Sequence, residues 1–159
     1  MTDLHPNSER VARALHDGGA TGTVHALTDS TRTAQEAAQA LGVAVGAIVK
    51  SLVFLADGEP LLVLASGDHQ VDTHRLAAAV GATQIKRADA DAVRAATGYP
   101  IGGVAPLAHP GPLRTVVDRH LAGFDVLWAA AGTPHSVFPT TYDELLRLTG
   151  GDPADVAAT

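Results

Sequence analysis

The stretch AIVKSLVFLADGEPLLVLA, residues 47–65, contains two runs of β-branched and aliphatic residues separated by four turn-forming residues. The runs at 47–56 and 61–65 have the length and composition typical of strands, and Asp57-Gly58-Glu59-Pro60 interrupts them. We therefore predict a β-hairpin with its turn at 57–60. This hairpin is the strongest local signal in the chain.

Helix signals lie on both sides of the hairpin. Five segments each combine a capping residue with a glycine that ends the helix. They begin at Asn7 or Ser8, Thr33, Asp72, Asp89 and Thr141, and they end before Gly18, Gly42, Gly81, Gly98 and Gly150. Short strands are expected between the helices, at 23–27, 84–86, 115–117 and 126–130.

This alternation of helices and strands predicts an α/β or α+β fold with a mixed sheet. The 159 residues contain no internal repeat, low-complexity segment or break in composition. We therefore expect one domain over residues 1–159, with its core at about 8–150. The tail after Asp152 is expected to fray.

The composition excludes several classes of protein. Hydrophobic residues make up 46% and charged residues 18% of the chain, unlike a disordered sequence. The N-terminal residues lack the basic and apolar regions of a signal peptide, and the longest apolar stretch, 43–56, is interrupted by Gly46 and Lys50. The absence of cysteine excludes disulfides and thiolate chemistry. We expect a cytoplasmic protein without a membrane partner.

The net charge of −6 and the pI of about 5.6 argue against a broad phosphate-binding surface. We therefore expect no DNA partner and only a small contact with any other nucleic acid. Nine of the eleven basic residues are arginines, and the two lysines are Lys50 and Lys86. Each lysine therefore needs an explanation.

Lys50 departs most clearly from the apolar pattern of the hairpin, because it is a charged residue within an apolar strand. With period-two alternation it shares a strand face with Ile48, Leu52 and Phe54. One explanation places it at the end of the strand, with its ammonium in water. The other places the cation in a cleft, where it could orient a carbonyl or phosphate or stabilise developing negative charge. The pattern leaves both open.

Two glycine-containing loops are further candidates. Residues 98–106, GYPIGGVAP, contain glycines that allow unusual backbone angles and prolines that restrict the loop to a defined shape. Such a loop could direct backbone N–H groups at a ligand, or it could simply connect two elements. Residues 132–135, GTPH, place His135 near a strand end, either in a site or in a surface turn. Neither loop contains a phosphate-binding fingerprint.

Other polar residues carry weaker signals. His69 and His74 have aspartates nearby, but their spacing matches no metal motif, and we predict no metal. Ser51 and Ser66 lack the GxSxG context of a nucleophile elbow. A serine hydrolase is therefore not supported.

Three segments in chain order, IVKSL at 48–52, TGYPIGGVAP at 97–106 and AGTPH at 131–135, resemble the YbaK/ProX family of aminoacyl-tRNA editing domains. This family is related to the editing insertion of bacterial prolyl-tRNA synthetases. The resemblance extends over about 8–150. It implies a compact α/β fold around a mixed, barrel-like sheet surrounded by helices, with a pocket for the aminoacylated 3′ end of tRNA.

The resemblance also implies roles for individual residues. Lys50 matches the functional lysine of the family and is expected to be catalytic. The expected substrate-binding residues lie in the two loops: Gly102, Gly103, Val104, Ala105 and Pro106 in the first, Gly132 and His135 in the second. The backbone of the first loop would hold the terminal adenosine and the ester.

The implied reaction is hydrolysis, in trans, of the ester of a mischarged tRNA carrying a small residue such as cysteine or alanine on tRNA(Pro), without a cofactor or metal. Water, the ribose hydroxyl or the substrate's own side chain could attack while Lys50 and loop N–H groups stabilise the oxyanion. The implied partners are the acceptor end of tRNA and, as a candidate, an aminoacyl-tRNA synthetase. A non-catalytic module that binds a small ligand or the tRNA end is the alternative.

Overall fold

The computed structural model describes residues 4–27 and 33–157, which form five α-helices and eight strands. The helices are α1 (Pro6–Asp17), α2 (Ala34–Leu41), α3 (Thr73–Val80), α4 (Ala90–Thr97) and α5 (Tyr142–Thr149). The strands are β1 (His25–Ala26), β2 (Val49–Ala56), β3 (Glu59–Ser66), β4 (Ile85–Arg87), β5 (Arg114–Asp118), β6 (Leu127–Ala130), β7 (Ser136–Thr140) and β8 (Asp152–Ala154). Two short 3₁₀ helices cover Val45–Ala47 and Arg119–Gly123.

The predicted hairpin is confirmed. β2 and β3 pair antiparallel, in a register that places Ala56 opposite Glu59. The turn consists of Asp57 and Gly58 alone, with φ values of 50° and 86°. Positive φ at both turn residues matches the twist of the adjoining strands. Glu59 and Pro60 therefore begin β3 and are not part of the turn.

Five strands form a mixed sheet in the order β4-β2-β3-β5-β8, in which β3, β5 and β8 are parallel and β2 is antiparallel to both its neighbours. Strands β1, β7 and β6 form an antiparallel second sheet. A bridge between Ile48 and Trp128 joins the two sheets. The predicted α/β fold with a mixed sheet is confirmed. The barrel-like closure that the resemblance implies is not confirmed, since the described strands form two sheets joined by one isolated bridge.

The larger sheet is covered on both faces. Val49 and Val53 pack into the larger buried cluster together with residues of α1, α4 and α5. Phe54 lies on the opposite face and packs with α3 and with Val156, which is fully buried. The alternation along β2 follows the strand period of two. The prediction that the tail frays after Asp152 is wrong for the described residues, since β8 pairs with β5.

Four of the five predicted helix caps are confirmed. In each, the capping side chain accepts a hydrogen bond from an N–H of the first helical turn: Thr33, Asp72, Asp89 and Thr141. The prediction for α1 is wrong, because its cap is His5, whose Nδ1 accepts from the N–H of Asn7 at 3.0 Å. Pro6 occupies the first helical position, where its missing N–H costs nothing.

All four predicted strands outside the hairpin are present with shifted ends, but β7 and β8 were not predicted. Each contains a proline, Pro139 and Pro153, and proline weakens the strand signal because it cannot donate to a ladder. Both are tolerated in this sheet arrangement, since β8 lies at an edge and β7 pairs only with β6 at Pro139. Within the described residues no helix is long and apolar enough to cross a bilayer.

Candidate functional site

Lys50 lies near the start of β2 and borders a cleft of about 480 Å³. Its Nζ donates a hydrogen bond to the backbone carbonyl of His69, which follows β3. The ammonium is therefore held at the wall of a cleft. Of the two explanations that the sequence leaves open, this geometry favours the cleft.

The surroundings of Lys50 change its proton affinity. Partial burial lowers the pKa of Lys50 below its usual value, and this effect outweighs the carboxylate of Asp68, which raises it. Arg87 lowers the pKa further, and Asp118 raises it. A partly desolvated cation acts more strongly on a bound ligand than it would in water. Lys50 thus has the setting that charge stabilisation requires.

The outer part of the first loop borders the same cleft. Gly102 and Val104 line it, and Gly102 has a φ of 89°, in the left-handed region that glycine adopts without strain. Ala105 and Pro106 are buried beneath the loop surface. The structure thus brings Lys50 together with Gly102 and Val104. Ala105 and Pro106 do not line the cleft and support the loop from beneath.

The two loops pack directly against each other at Gly103. A Cβ on Gly103 would lie 2.8 Å from Cα of Thr133 and 2.9 Å from its carbonyl carbon. Backbone atoms cannot turn away as the end of a flexible side chain would. This close approach, and not a special dihedral angle at Gly103 itself, is the reason that glycine is needed here.

The first turn of α1 holds the second loop. Ser8 Oγ donates to the carbonyl of Ala131 at 2.8 Å, and Asn7 Nδ2 donates to the carbonyl of Gly132 at 3.1 Å. Gly132 has a φ of 97°, and a Cβ on it would lie 2.8 Å from Cβ of Asn7. The side chains that the sequence predicted to cap α1 therefore fix this loop instead.

Gly132 and His135 line a second cavity of about 350 Å³. Thr133 and Pro134 border both this cavity and the cleft. His135 is exposed, and its backbone N–H donates to Thr133 Oγ1 at 3.1 Å. The structure therefore places His135 at the second cavity and not among the residues that line the cleft.

Three residues that the sequence analysis did not assign to the site also line the cleft. Ser51 follows Lys50, and its buried Oγ has no hydrogen-bond partner within the described part of the chain. A buried hydroxyl without a partner at the wall of a cleft is a candidate contact for a ligand. Asp68 comes from the turn after β3 and Trp128 from β6. The sequence did contain one indication that Trp128 is special, because it is the single tryptophan of the chain.

His69 and His74 do not come together. His74 is exposed on α3, whereas His69 Nδ1 lies 2.9 Å from Oδ2 of the buried Asp118. The ring of His120 stacks on that of His69 with 4.0 Å between centroids. Sequence spacing could not show that His69 and His120 are in contact, because α3, β4, α4 and β5 lie between them along the chain.

The profile of the aminoacyl-tRNA editing domain matches residues 28–148. This match covers most of the chain, and the chain belongs to the aminoacyl-tRNA editing domain family. The resemblance drawn from the three sequence segments is thus confirmed.

Within this family, the chain is similar to proteins that are linked to prolyl-tRNA synthetase. The chain is 36% identical over 101 residues to a proline–tRNA ligase of Nitratidesulfovibrio vulgaris strain DP4 and 29% identical over 136 residues to one of Geobacter sulfurreducens. These matches cover 64% and 79% of this chain but only 17% and 24% of the ligases. A crystal structure of a proposed trans-editing enzyme for prolyl-tRNA synthetase is 43% identical, with a TM-score of 0.93, and the match covers 99% of this chain and 100% of that one.

Proposed function

We propose that this chain is a trans-editing deacylase that hydrolyses the ester of a mischarged tRNA carrying a small amino acid. Its family supports the substrate class, and its similarity to a proposed trans-editing enzyme for prolyl-tRNA synthetase supports tRNA(Pro) as the tRNA. The observation that carries the proposal is the Lys50 ammonium at the wall of a 480 Å³ cleft, fixed by the carbonyl of His69.

In this proposal the aminoacyl ester enters the cleft with the terminal adenosine against the first loop. Attack on the ester carbonyl places negative charge on its oxygen, which the Lys50 ammonium stabilises. Gly102 carries no side chain, so it lets the ligand approach the loop backbone closely. Collapse of the tetrahedral intermediate breaks the bond between the carbonyl carbon and the ribose oxygen, and this oxygen takes up the proton that the attacking water releases. The products are the free amino acid and a tRNA with an intact terminal hydroxyl.

The attacking group comes from outside the protein in this proposal. The chain contains no cysteine, and Ser66 is fully buried with its Oγ donating to the carbonyl of Gly46 at 2.6 Å. Ser51 borders the cleft, but its Oγ has no basic partner among the described residues. A water molecule can serve directly as nucleophile. Attack by the adjacent ribose hydroxyl would only transfer the acyl group to that oxygen, and attack by the substrate's own side chain would release a cyclic product, so in both cases water must complete the release of the free amino acid.

The deciding experiment is a deacylation assay over a panel of charged tRNAs. Alanyl-, cysteinyl- and prolyl-tRNA(Pro) are compared with the same amino acids on their own tRNAs, with filter binding measured in parallel. We expect rapid release of a small non-cognate residue and little release of proline. Binding without release across the panel would instead establish a non-catalytic module that holds the tRNA end.

The pH dependence of the reaction should report on Lys50. Because the ammonium form is the active one in this proposal, activity falls as pH rises through the pKa of Lys50 in the folded protein. Asp68 raises that pKa, so Asp68→Asn lowers it further and moves the alkaline loss of activity to lower pH. The measurement is the single-turnover rate against pH, with spontaneous ester hydrolysis subtracted. Asp125→Asn, at an exposed position, is the control, and identical profiles for both variants would contradict the role of Lys50.

The affinity for tRNA should depend weakly on salt. With a net charge of −6, the protein can engage only a few phosphates near the acceptor end. Each neutralised phosphate contributes slightly less than one unit to the slope of log affinity against log salt. Filter binding over a salt series measures this slope. A slope corresponding to roughly ten phosphates would reveal an extended basic surface and contradict the acceptor-end footprint.

A further inference from the structure

Asp68, His69 and His120 form a cluster beside the cleft, and one ligand atom from each lies within 4.8 Å of the others. Asp68 and His69 follow the end of β3, and His120 follows the end of β5. These two strands are parallel neighbours, paired from Leu61 to Leu64 of β3. Their carboxyl ends therefore meet at one edge of the sheet, which is a common location for ligand sites in α/β proteins.

A buried carboxylate holds the ring of His69 and the backbone turn that carries His120. The side chain of Asp118 is 2% exposed, and its Oδ2 lies 2.9 Å from Nδ1 of His69. The same carboxylate accepts from the backbone N–H groups of Ser66 and His120, each at 3.0 Å. Because Asp118 engages Nδ1, the other ring nitrogen of His69 is left as a lone-pair donor. A carboxylate behind a histidine in this way is the usual support of a metal ligand.

The spacing within the cluster also fits a small cation. Asp68 Oδ1 lies 3.3 Å from Nε2 of His120. Two ligands of a tetrahedral zinc ion with bonds of about 2.0 Å stand about 3.3 Å apart. Ser66 Oγ lies 2.8 Å from Oδ1 of Asp68 and 2.6 Å from the carbonyl of Gly46, so its one hydrogen is shared between these two acceptors. The side chains of Asp68, His69 and His120 are 41%, 27% and 40% exposed, which gives an ion access from solvent.

The two imidazole rings stack beside the carboxylates, with 4.0 Å between centroids and 23° between planes. Because imidazole lone pairs lie in the ring plane, the exposed ring of His120 must turn for both histidines to bind one ion. A cation held here would be attracted to the carboxylates of Asp68 and Asp118.

We infer that Asp68, His69 and His120 bind a divalent transition-metal ion of the zinc type at the edge of the cleft. Two imidazoles and one carboxylate suit zinc or cobalt, whereas magnesium and calcium prefer oxygen ligands alone. Three protein ligands leave a fourth position open. The site shares Asp68 and His69 with the wall of the cleft, but metal binding is measured without the ester reaction, so its outcome does not depend on that activity.

The test is calorimetric titration of Zn²⁺ into the full chain, freed of any affinity tag. We expect one equivalent to bind, and the loaded protein to melt at a higher temperature, because the ion binds the folded state. Co²⁺ in place of Zn²⁺ should give the visible absorption bands of a four-coordinate site. Both measurements use the metal alone, so their outcome does not depend on whether the chain deacylates tRNA.

Matched variants locate the site. His120→Ala and Asp68→Asn should each weaken Zn²⁺ binding by at least about tenfold and abolish the Co²⁺ bands, since loss even of a supporting residue costs 10- to 100-fold. His74→Ala removes an exposed histidine outside the cluster and should leave both unchanged. Far-ultraviolet circular dichroism checks that each variant is folded. The inference is overturned if the parent protein binds no Zn²⁺, or if His120→Ala and Asp68→Asn, shown to be folded, bind it as the parent does.

Discussion

Lys50→Met should lower the single-turnover rate of deacylation by about 100-fold or more, while the protein keeps its fold. The substitution keeps the volume of the aliphatic stem but removes the charge that faces the cleft. It also removes the hydrogen bond to the carbonyl of His69 and, with it, the cost of burying an ammonium. Because these two changes oppose each other, the melting temperature should stay near that of the parent.

The chain offers a matched control for this variant. Lys86, the other lysine, is exposed on β4, so Lys86→Met makes the same chemical change outside the cleft. It should deacylate at the parent rate. Lys50→Ala, which also removes the stem, should be as inactive as Lys50→Met if the charge is what matters. Near-parent turnover by Lys50→Met would disprove the assignment of Lys50 and remove the main support for an editing site.

Gly103→Ala should also reduce deacylation, by about 100-fold, because its Cβ would meet the backbone of Thr133 at 2.8 Å. The clash is relieved only if the first loop and the second loop move apart. Both loops border the cleft, and a displacement of about 1 Å near reacting groups is enough for a loss of this size. The single-turnover rate is the primary measurement, and the melting temperature shows how much stability is lost with it.

Gly111→Ala is the corresponding control. A Cβ on Gly111 meets no atom within 4 Å, so the same substitution there adds a methyl group without a clash. Its rate and melting temperature should match those of the parent. If Gly103→Ala were as active as Gly111→Ala, the packing of the two loops would not govern the cleft, and the first loop would be a connector. Unfolding of Gly103→Ala at assay temperature would contradict the expectation that activity is lost before the fold.

Local sequence signals predicted much of the architecture. The hairpin follows from two apolar runs around Asp57 and Gly58, and four helix starts follow from side chains such as Thr33 that bond the first turn. These interactions join residues only a few positions apart, so they are visible in the sequence. The first helix cap was missed because Asn7 and Ser8 satisfy groups of a loop more than a hundred residues away.

Part of the site was predictable for the same kind of reason. Lys50 stood out because a cation interrupts an apolar strand, and Gly102 stood out because paired glycines free the backbone. The position of His135 at the second cavity was not predictable, since it depends on how the second loop packs against distant parts of the chain. The contribution of Ser51 depends in the same way on what surrounds its buried hydroxyl.

The sequence by itself determined the hairpin, four of the five helix starts, all five helix ends, the mixed α/β class and the unusual position of Lys50. Only the tertiary structure decided that the first loop packs against Thr133, and that His69 and His120 stack beside Asp118. The physical reason is the distance along the chain between the residues that interact. Hydrogen bonds and periodicity within one element are encoded by neighbouring residues, whereas a cleft or a ligand cluster forms from elements that meet only when strands such as β3 and β5 pair side by side.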